Sequence, residues 1–231
     1  MGKHDEKKAI GFVGAHMDDI ELACAGVVQR LVQEELEAMV LVISVDPKRT
    51  DANKRSSELL GYKLLLGDIS EAEIEIATVQ QIVYEKLVRP FGPRLDLVFL
   101  HVPEDYNHHH RLVSAGSLSA CRGVKNVLYF AGPGGIPHLR PQVFVPFGER
   151  EMQKKMEAME ILRQAYGQAR YFTKEHCRDQ AAFWGQWIFE FQERPKAPKV
   201  TLFGEEQMPY AEVFQVERLR LSFDRGKTTL F

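Results

Sequence analysis

Five short apolar runs, each followed by a segment of helix length, constrain this 231-residue chain more than any other feature. They cover residues 9–15, 39–45, 63–67, 95–102 and 126–130, and the run at 39–45, ending in Asp46-Pro47, reads as a buried strand with a stop signal. Between them, residues 20–37 carry apolar side chains at helical spacing, and residues 56–60 sit in a helix that Gly61 closes. Residues 79–88 and 111–121 are helical by the same reading. Strands joined by helices imply right-handed crossovers, so the expected fold is α/β, a Rossmann-like, mainly parallel sheet flanked by helices.

Beyond Gly132-Pro133-Gly134-Gly135 the pattern changes. Residues 141–146 read as a short edge strand, 149–168 and 177–193 as helices, and 210–216 as a final strand after a Lys/Pro-rich loop at 195–199. This is a C-terminal helical and edge-strand extension of one domain spanning 1–231, with the charged residues 1–8 expected to be disordered. There is no internal repeat.

Composition closes off several functional classes. Thirty basic and 32 acidic residues give a net charge of −2, so no global field draws nucleic acid or an anionic membrane. No apolar run reaches the roughly eighteen residues of a membrane span, and the amino end lacks the apolar core of a signal peptide. Cys24, Cys121 and Cys177 are sparse, odd in number and far apart, as reduced thiols in a cytoplasmic protein would be. The aromatic late helices, with Phe183, Trp184, Trp187, Phe189 and Phe191, read as helix packing, although they leave a homo-oligomer interface open.

The chemistry concentrates where strands end. After Gly14 come Ala15-His16-Met17-Asp18-Asp19-Ile20-Glu21, placing an imidazole and two carboxylates at the carboxyl edge of the first strand. That edge is where open α/β sheets collect ligands. An Asp at a helix start is also an ordinary N-cap, so the string needs a further ligand from elsewhere. The fourth strand supplies one, since the loop after it reads Asp105-Tyr106-Asn107-His108-His109-His110. His, Asp and His around an open position make a catalytic zinc-type site of three protein ligands plus water. No Gly-x-Gly-x-x-Gly follows the first strand, so a dinucleotide is not expected there.

These two strings resemble the motifs of the PIG-L/LmbE-like metal-dependent N-acetylglucosaminyl deacetylases, Ala-His-Pro-Asp-Asp-x-Glu and Asp-x-His-x-Asp-His. Residues 55–61 resemble the family's Arg-x-x-Glu helix ending in Leu-Gly. Residues 141–155 with Gly167-Gln168, and then Tyr210-Ala211-Glu212-Val213-Phe214, resemble its later segments in the same order. The resemblance implies metal ligands His16, Asp19 and His110, with Asp18 as the general base toward the water that the metal activates. It implies Zn2+ or another divalent first-row ion and a small amino-sugar substrate.

Three positions depart from the family pattern. Met17 replaces its proline, and Asn107 stands where it has a histidine that stabilises the oxyanion or protonates the leaving group, with His109 in place of that histidine's aspartate partner. Asn107 can donate a hydrogen bond but cannot deliver a proton, so His108 or His109 is expected to take that role.

Four further residues carry two readings each. Arg55 is a candidate substrate contact or a solvated helix arginine, and Asp105 a carboxylate orienting a ligating imidazole or a loop cap. Glu21 orients a ligand or lies exposed in a first helical turn. The 132–135 loop with His138 is a substrate loop or a flexible connection. His101 reads as a satisfied core residue and Glu212 as structural. The expected function is zinc-dependent deacetylation of an N-acetylglucosamine-type sugar or conjugate. The rivals are a hydrolase of a different amide or acyl group, and a non-catalytic or altered-chemistry protein binding a sugar-like ligand.

Overall fold

The computed structural model describes residues 7–133, 135–166, 173–192, 208–220, 223–224 and 227–228. The chain alternates β1 (Ala9–Gly14), α1 (Asp19–Gln33), β2 (Glu37–Ser44), α2 (Thr50–Leu60), β3 (Lys63–Ile69), α3 (Ile76–Val83), α4 (Arg89–Phe91), β4 (Leu95–His101), α5 (His108–Ala120) and β5 (Asn126–Phe130). It continues through β6 (Val143–Phe147), α6 (Glu149–Tyr166), α7 (Lys174–Gln192) and β7 (Tyr210–Arg218), with two-residue strands β8 (Phe223–Asp224) and β9 (Lys227–Thr228) after it.

Seven strands form one sheet in the order β3-β2-β1-β4-β5-β7-β6. The first five are parallel, and β7 pairs antiparallel with both β5 and β6. The α/β expectation is borne out, with β6 at the edge as its short proline-flanked run implied. The order of the last two strands was not legible, because β7 arrives from sixty residues downstream and slots between β5 and β6. From β1 the chain moves to β2 on one side, whereas β4 leads to β5 on the other. The crevice between the carboxyl ends of β1 and β4 is therefore the topological switch point, the place where such sheets bind ligands.

The central strands are apolar on both sides because both sheet faces are covered. On one face Val13, Leu41, Val98, Leu100 and Val127 pack against Val79, Ile82 and Val83 of α3 and Val113 of α5. On the other, Phe12 stacks on Phe99 at 4.6 Å, and Ile20, Cys24, Val27 and Leu31 of α1 close over them. Gly61 adopts φ +80° at the end of α2, the left-handed C-cap read from the sequence. All three cysteines are free and buried. Among the described residues no helix is long and apolar enough to cross a membrane.

Several boundaries differ from the expectation. Helix α2 begins at Thr50 rather than near Ser56, and α1 ends at Gln33 because residues 37 and 38 already pair in β2. The more consequential shift is in α5, which begins at His108 and not at Arg111. Asn107 is its N-cap, the side-chain oxygen accepting the His109 backbone N–H at 2.9 Å, so the three histidines form the first helical turn and not a loop. Of the aromatic residues on α7, Trp184 packs edge-on to Phe144, while Phe183 and Trp187 are exposed. The side chains of Phe189 and Phe191, residues 1–6, the 195–199 loop and Gly167-Gln168 lie outside the described set.

The structural reading of Glu212 holds in detail. Its carboxylate accepts the Gly26 and Val27 backbone N–H groups of α1 at 3.0 and 2.8 Å and Lys155 Nζ of α6 at 2.6 Å. Lys155 and Glu212 are both nearly fully buried, so each charge depends on the other. Gly26 also lets the Phe147 ring pack on α1, because a Cβ there would fall 2.5 Å from that ring. Glu212→Ala should cost about 3–5 kcal/mol in urea denaturation by stranding the ammonium, and adding Lys155→Met should restore most of it.

Candidate active site

Asp19, the first residue of α1, lies at the centre of the switch-point crevice. It is 4 % exposed, and so must have its charge compensated from within the protein. Oδ2 accepts the His16 backbone N–H at 2.8 Å and lies 3.1 Å from His101 Nε2, while Oδ1 lies 3.2 Å from His110 Nε2. One carboxylate thus ties the end of β1 to β4 and to α5. The loop around it is fixed by backbone contacts. Ser44 Oγ donates to Ala15 O at 2.7 Å, Asn53 Nδ2 donates to Met17 O at 3.0 Å, and Ser114 Oγ donates to His101 O at 2.7 Å. Met17 is buried in the core beneath α1, which is how the chain uses the position where the family has proline.

The three residues read as ligands converge. Donor atoms of His16, Asp19 and His110 lie within 4.8 Å of one another, with His16 Nδ1 3.3 Å from His110 Nε2 and 3.6 Å from Asp19 Oδ2. Asp105 is buried and its Oδ2 lies 3.0 Å from His110 Nδ1, which turns Nε2 of that ring toward Asp19 and His16. This carboxylate–imidazole pair is the arrangement that orients a metal-ligating histidine. The other oxygen of Asp105 accepts the Asn107 N–H at 2.8 Å, so one carboxylate both contacts the His110 ring and caps the loop. Gly135, in the loop after β5, comes close enough that a Cβ would lie 2.6 Å from Asp105 Oδ2.

Asp18 occupies the N-cap position of α1 but makes no capping hydrogen bond, so its carboxylate is not consumed by the helix. Burial, then the neighbouring Asp19 charge, pushes it up to about 7, against the pull of His16 and His110. Burial also works against the His110 cation, yet Asp19 and Asp105 outweigh it and hold the imidazole up at about 10. His101 goes the other way, down to about 4, through burial and then repulsion from His110, on which it stacks at 4.0 Å. The crevice therefore favours positive charge at the meeting point of His16, Asp19 and His110. The donor set of two imidazoles and one carboxylate fits a divalent first-row cation there.

Sequence reasoning undervalued His101 and Glu21. His101 is fully buried, but Nε2 lies within hydrogen-bonding distance of both Asp19 and the Ala15 N–H at 3.2 Å, and one nitrogen serves one of them at a time. Its Nδ1 has no partner among the described residues, so the expectation of a satisfied core histidine is corrected. Glu21 is 1 % exposed and accepts from Tyr62 Oη at 2.6 Å, Ser56 Oγ at 2.7 Å and Asn53 Nδ2 at 3.3 Å. It anchors α2 beneath the site, a role that the helix wheel of α1 alone does not show. Arg111 straps the β4–α5 loop through Asp105 O and Tyr106 O at 2.7 and 2.8 Å.

An open cleft of about 360 Å³ leads away from His16, lined by Met17, Ser44, Asp46, Arg49 and Glu71. Such a volume suits a small molecule. Arg55 is exposed on α2 and is not among the lining residues, whereas Arg49, at the N-cap of the same helix, is. Asn107 is exposed and its oxygen is engaged as a cap, leaving only the amide N–H₂ as a donor. Of the two spare imidazoles, His108 is exposed and meets Arg111, while His109 Nδ1 reaches His16 Nε2 at 3.1 Å. His138 packs against the Tyr106 ring at 4.7 Å, at the rim of the same strand ends.

No family model matches the chain. A curated relative, the uncharacterized deacetylase YaiS of Escherichia coli (strain K12), is 23% identical over 172 residues, covering 69% of this chain and 92% of its own. Among solved structures, the N,N'-diacetylchitobiose deacetylase of Pyrococcus horikoshii aligns with a TM-score of 0.68 at 15% identity, over 91% of this chain and 84% of that one. The 4-carboxy-2-hydroxymuconate hydratase GalB of Pseudomonas putida KT2440 aligns with a TM-score of 0.71 at 16% identity, over 94% and 99%. Motifs, curated relative and fold agree, and the resemblance to the PIG-L/LmbE-like deacetylases drawn from the sequence is borne out.

Proposed function

We propose that this chain is a metal-dependent N-deacetylase that hydrolyses the acetamide of an N-acetylglucosamine-type sugar or conjugate, with zinc as its metal. The observation that carries the reading is the meeting of His16, Asp19 and His110 at the switch point, with a buried, uncapping Asp18 beside them. The similarity to two proteins named as deacetylases supports it. His16, Asp19 and His110 would hold the ion. When bound, a divalent cation supplies Lewis acidity that polarises an amide carbonyl and lowers a water's pKa toward ~7.

The chain's own residues do the rest. Asp18 takes a proton from the attacking water and returns it to the departing amine, so one carboxylate serves as base and then as acid. Asp105 orients the His110 ring so that Nε2 faces the site. The Asn107 amide, at the head of α5, has a free N–H₂ with which to donate to a developing oxyanion. The cleft beside His16 admits the sugar, with Arg49 rather than Arg55 on its wall.

The hydratase among the structural neighbours favours a second reading, addition of water to an unsaturated acid on the same scaffold. A panel of N-acetylated amino sugars and conjugates, followed by release of amine and acetate, decides between them. Acetate release supports the deacetylase, and its absence from every member with hydration of an unsaturated dicarboxylate supports the second. Asp18→Asn should lower kcat by roughly 10²–10⁴ while leaving the metal content unchanged, as measured by steady-state kinetics and elemental analysis. Asp105→Asn should instead weaken metal affinity by roughly 10–100-fold, read by competition with a chromogenic chelator.

A further inference from the structure

We propose a second divalent-metal site beside the first, formed by His16 Nε2, His109 Nδ1 and the Glu71 carboxylate. Donor atoms of these three residues lie within 4.8 Å of one another, and the two imidazole nitrogens are 3.1 Å apart. The site is assembled from three different strand ends, after β1, β3 and β4, and opens onto the cleft that Glu71 helps to line.

None of the three ligating groups is used in a helix cap. Glu71 sits on a single helical turn, Glu71–Glu73, whose cap is made by Glu73, Oε2 accepting from Ser70 N–H and Oγ at 2.8 and 2.7 Å. Glu71 takes no part in that cap. His109 is fixed through its backbone, which donates to Asn107 Oδ1, so its ring is not used in the helix cap. His16 turns Nδ1 toward Asp19 and His110 and Nε2 toward His109, offering one nitrogen to each position. The two departures in the second family-like string, Asn107 and His109, meet here. Asn107 supplies the cap that seats His109, and His109 supplies a nitrogen where the family pattern has a carboxylate.

Two imidazoles, one carboxylate and a solvent-facing fourth position suit zinc or a similar first-row ion. With both positions filled, His16 bridges through both ring nitrogens, and its remaining ring proton is released to solvent. The second position shares His16 with the first and in that respect rests on the proposed reading of the site.

The test is zinc per chain, measured by elemental analysis after the purified full-length protein is equilibrated with Zn2+ and free ion is removed. Two equivalents are expected for the unmodified chain and for His108→Ala, whose ring lies outside the cluster. One equivalent is expected for Glu71→Gln and for His109→Ala, and Asp19→Asn should lose the other one. Saturation of the unmodified chain at one equivalent, or two equivalents retained by both Glu71→Gln and His109→Ala, overturns the proposal. One equivalent that Asp19→Asn abolishes but Glu71→Gln leaves intact sinks the second site alone. No bound zinc at all sinks the first as well.

Discussion

A buried carboxylate that must be neutralised organises the functional end of this molecule. Asp19 has almost no access to water, and the cost of burying its charge is offset by the His16 backbone N–H, by His101 from the strand below and by His110 from the neighbouring helix. Those three partners come from three separate elements. Satisfying one side chain therefore fixes the exit of β1 against the exit of β4, and the crevice has its shape before any ligand arrives. The carboxylates of Asp19 and Asp105 raise His110 above the ordinary imidazole range, and the same excess of negative charge favours a cation.

The same logic of buried charge recurs at a distance from the chemistry. Glu212 and Lys155 compensate each other between α1, α6 and β7, and Glu21 is neutralised by hydrogen bonds from α2 and Tyr62. Both pin α1, whose first residue is Asp19. The helix that begins with Asp18 and Asp19 is thus held at its middle by the C-terminal extension and near its start by α2. In this way the late segments, which contribute no residue to the His/Asp cluster among the described residues, brace the helix that carries part of it.

Much of this was legible because strand and helix periodicities are local. The five parallel strands, the Gly61 cap and the two His/Asp strings follow from patterns within a dozen residues. His101 was not legible, since an apolar strand with one histidine looks the same whether the ring is idle or lies under an aspartate 82 positions away. Glu71 carried no signal at all, being one of several acidic residues in a short polar stretch. The head of α5 was misplaced because Asn107 was weighed for chemistry rather than for capping, and the cap decides that the histidines are helical.

The amino-acid sequence by itself determined the α/β class, the position of His16, Asp18 and Asp19 at one strand end and of Asp105 through His110 at another. It could do so because alternation and spacing act within segments. Only the tertiary structure decided that β1 and β4 are neighbours on either side of the switch point, that β7 inserts between β5 and β6, and that His109 faces His16 across from Glu71. Those outcomes depend on which strands pair and which buried charges find partners, and both are settled by contacts between residues far apart in the chain.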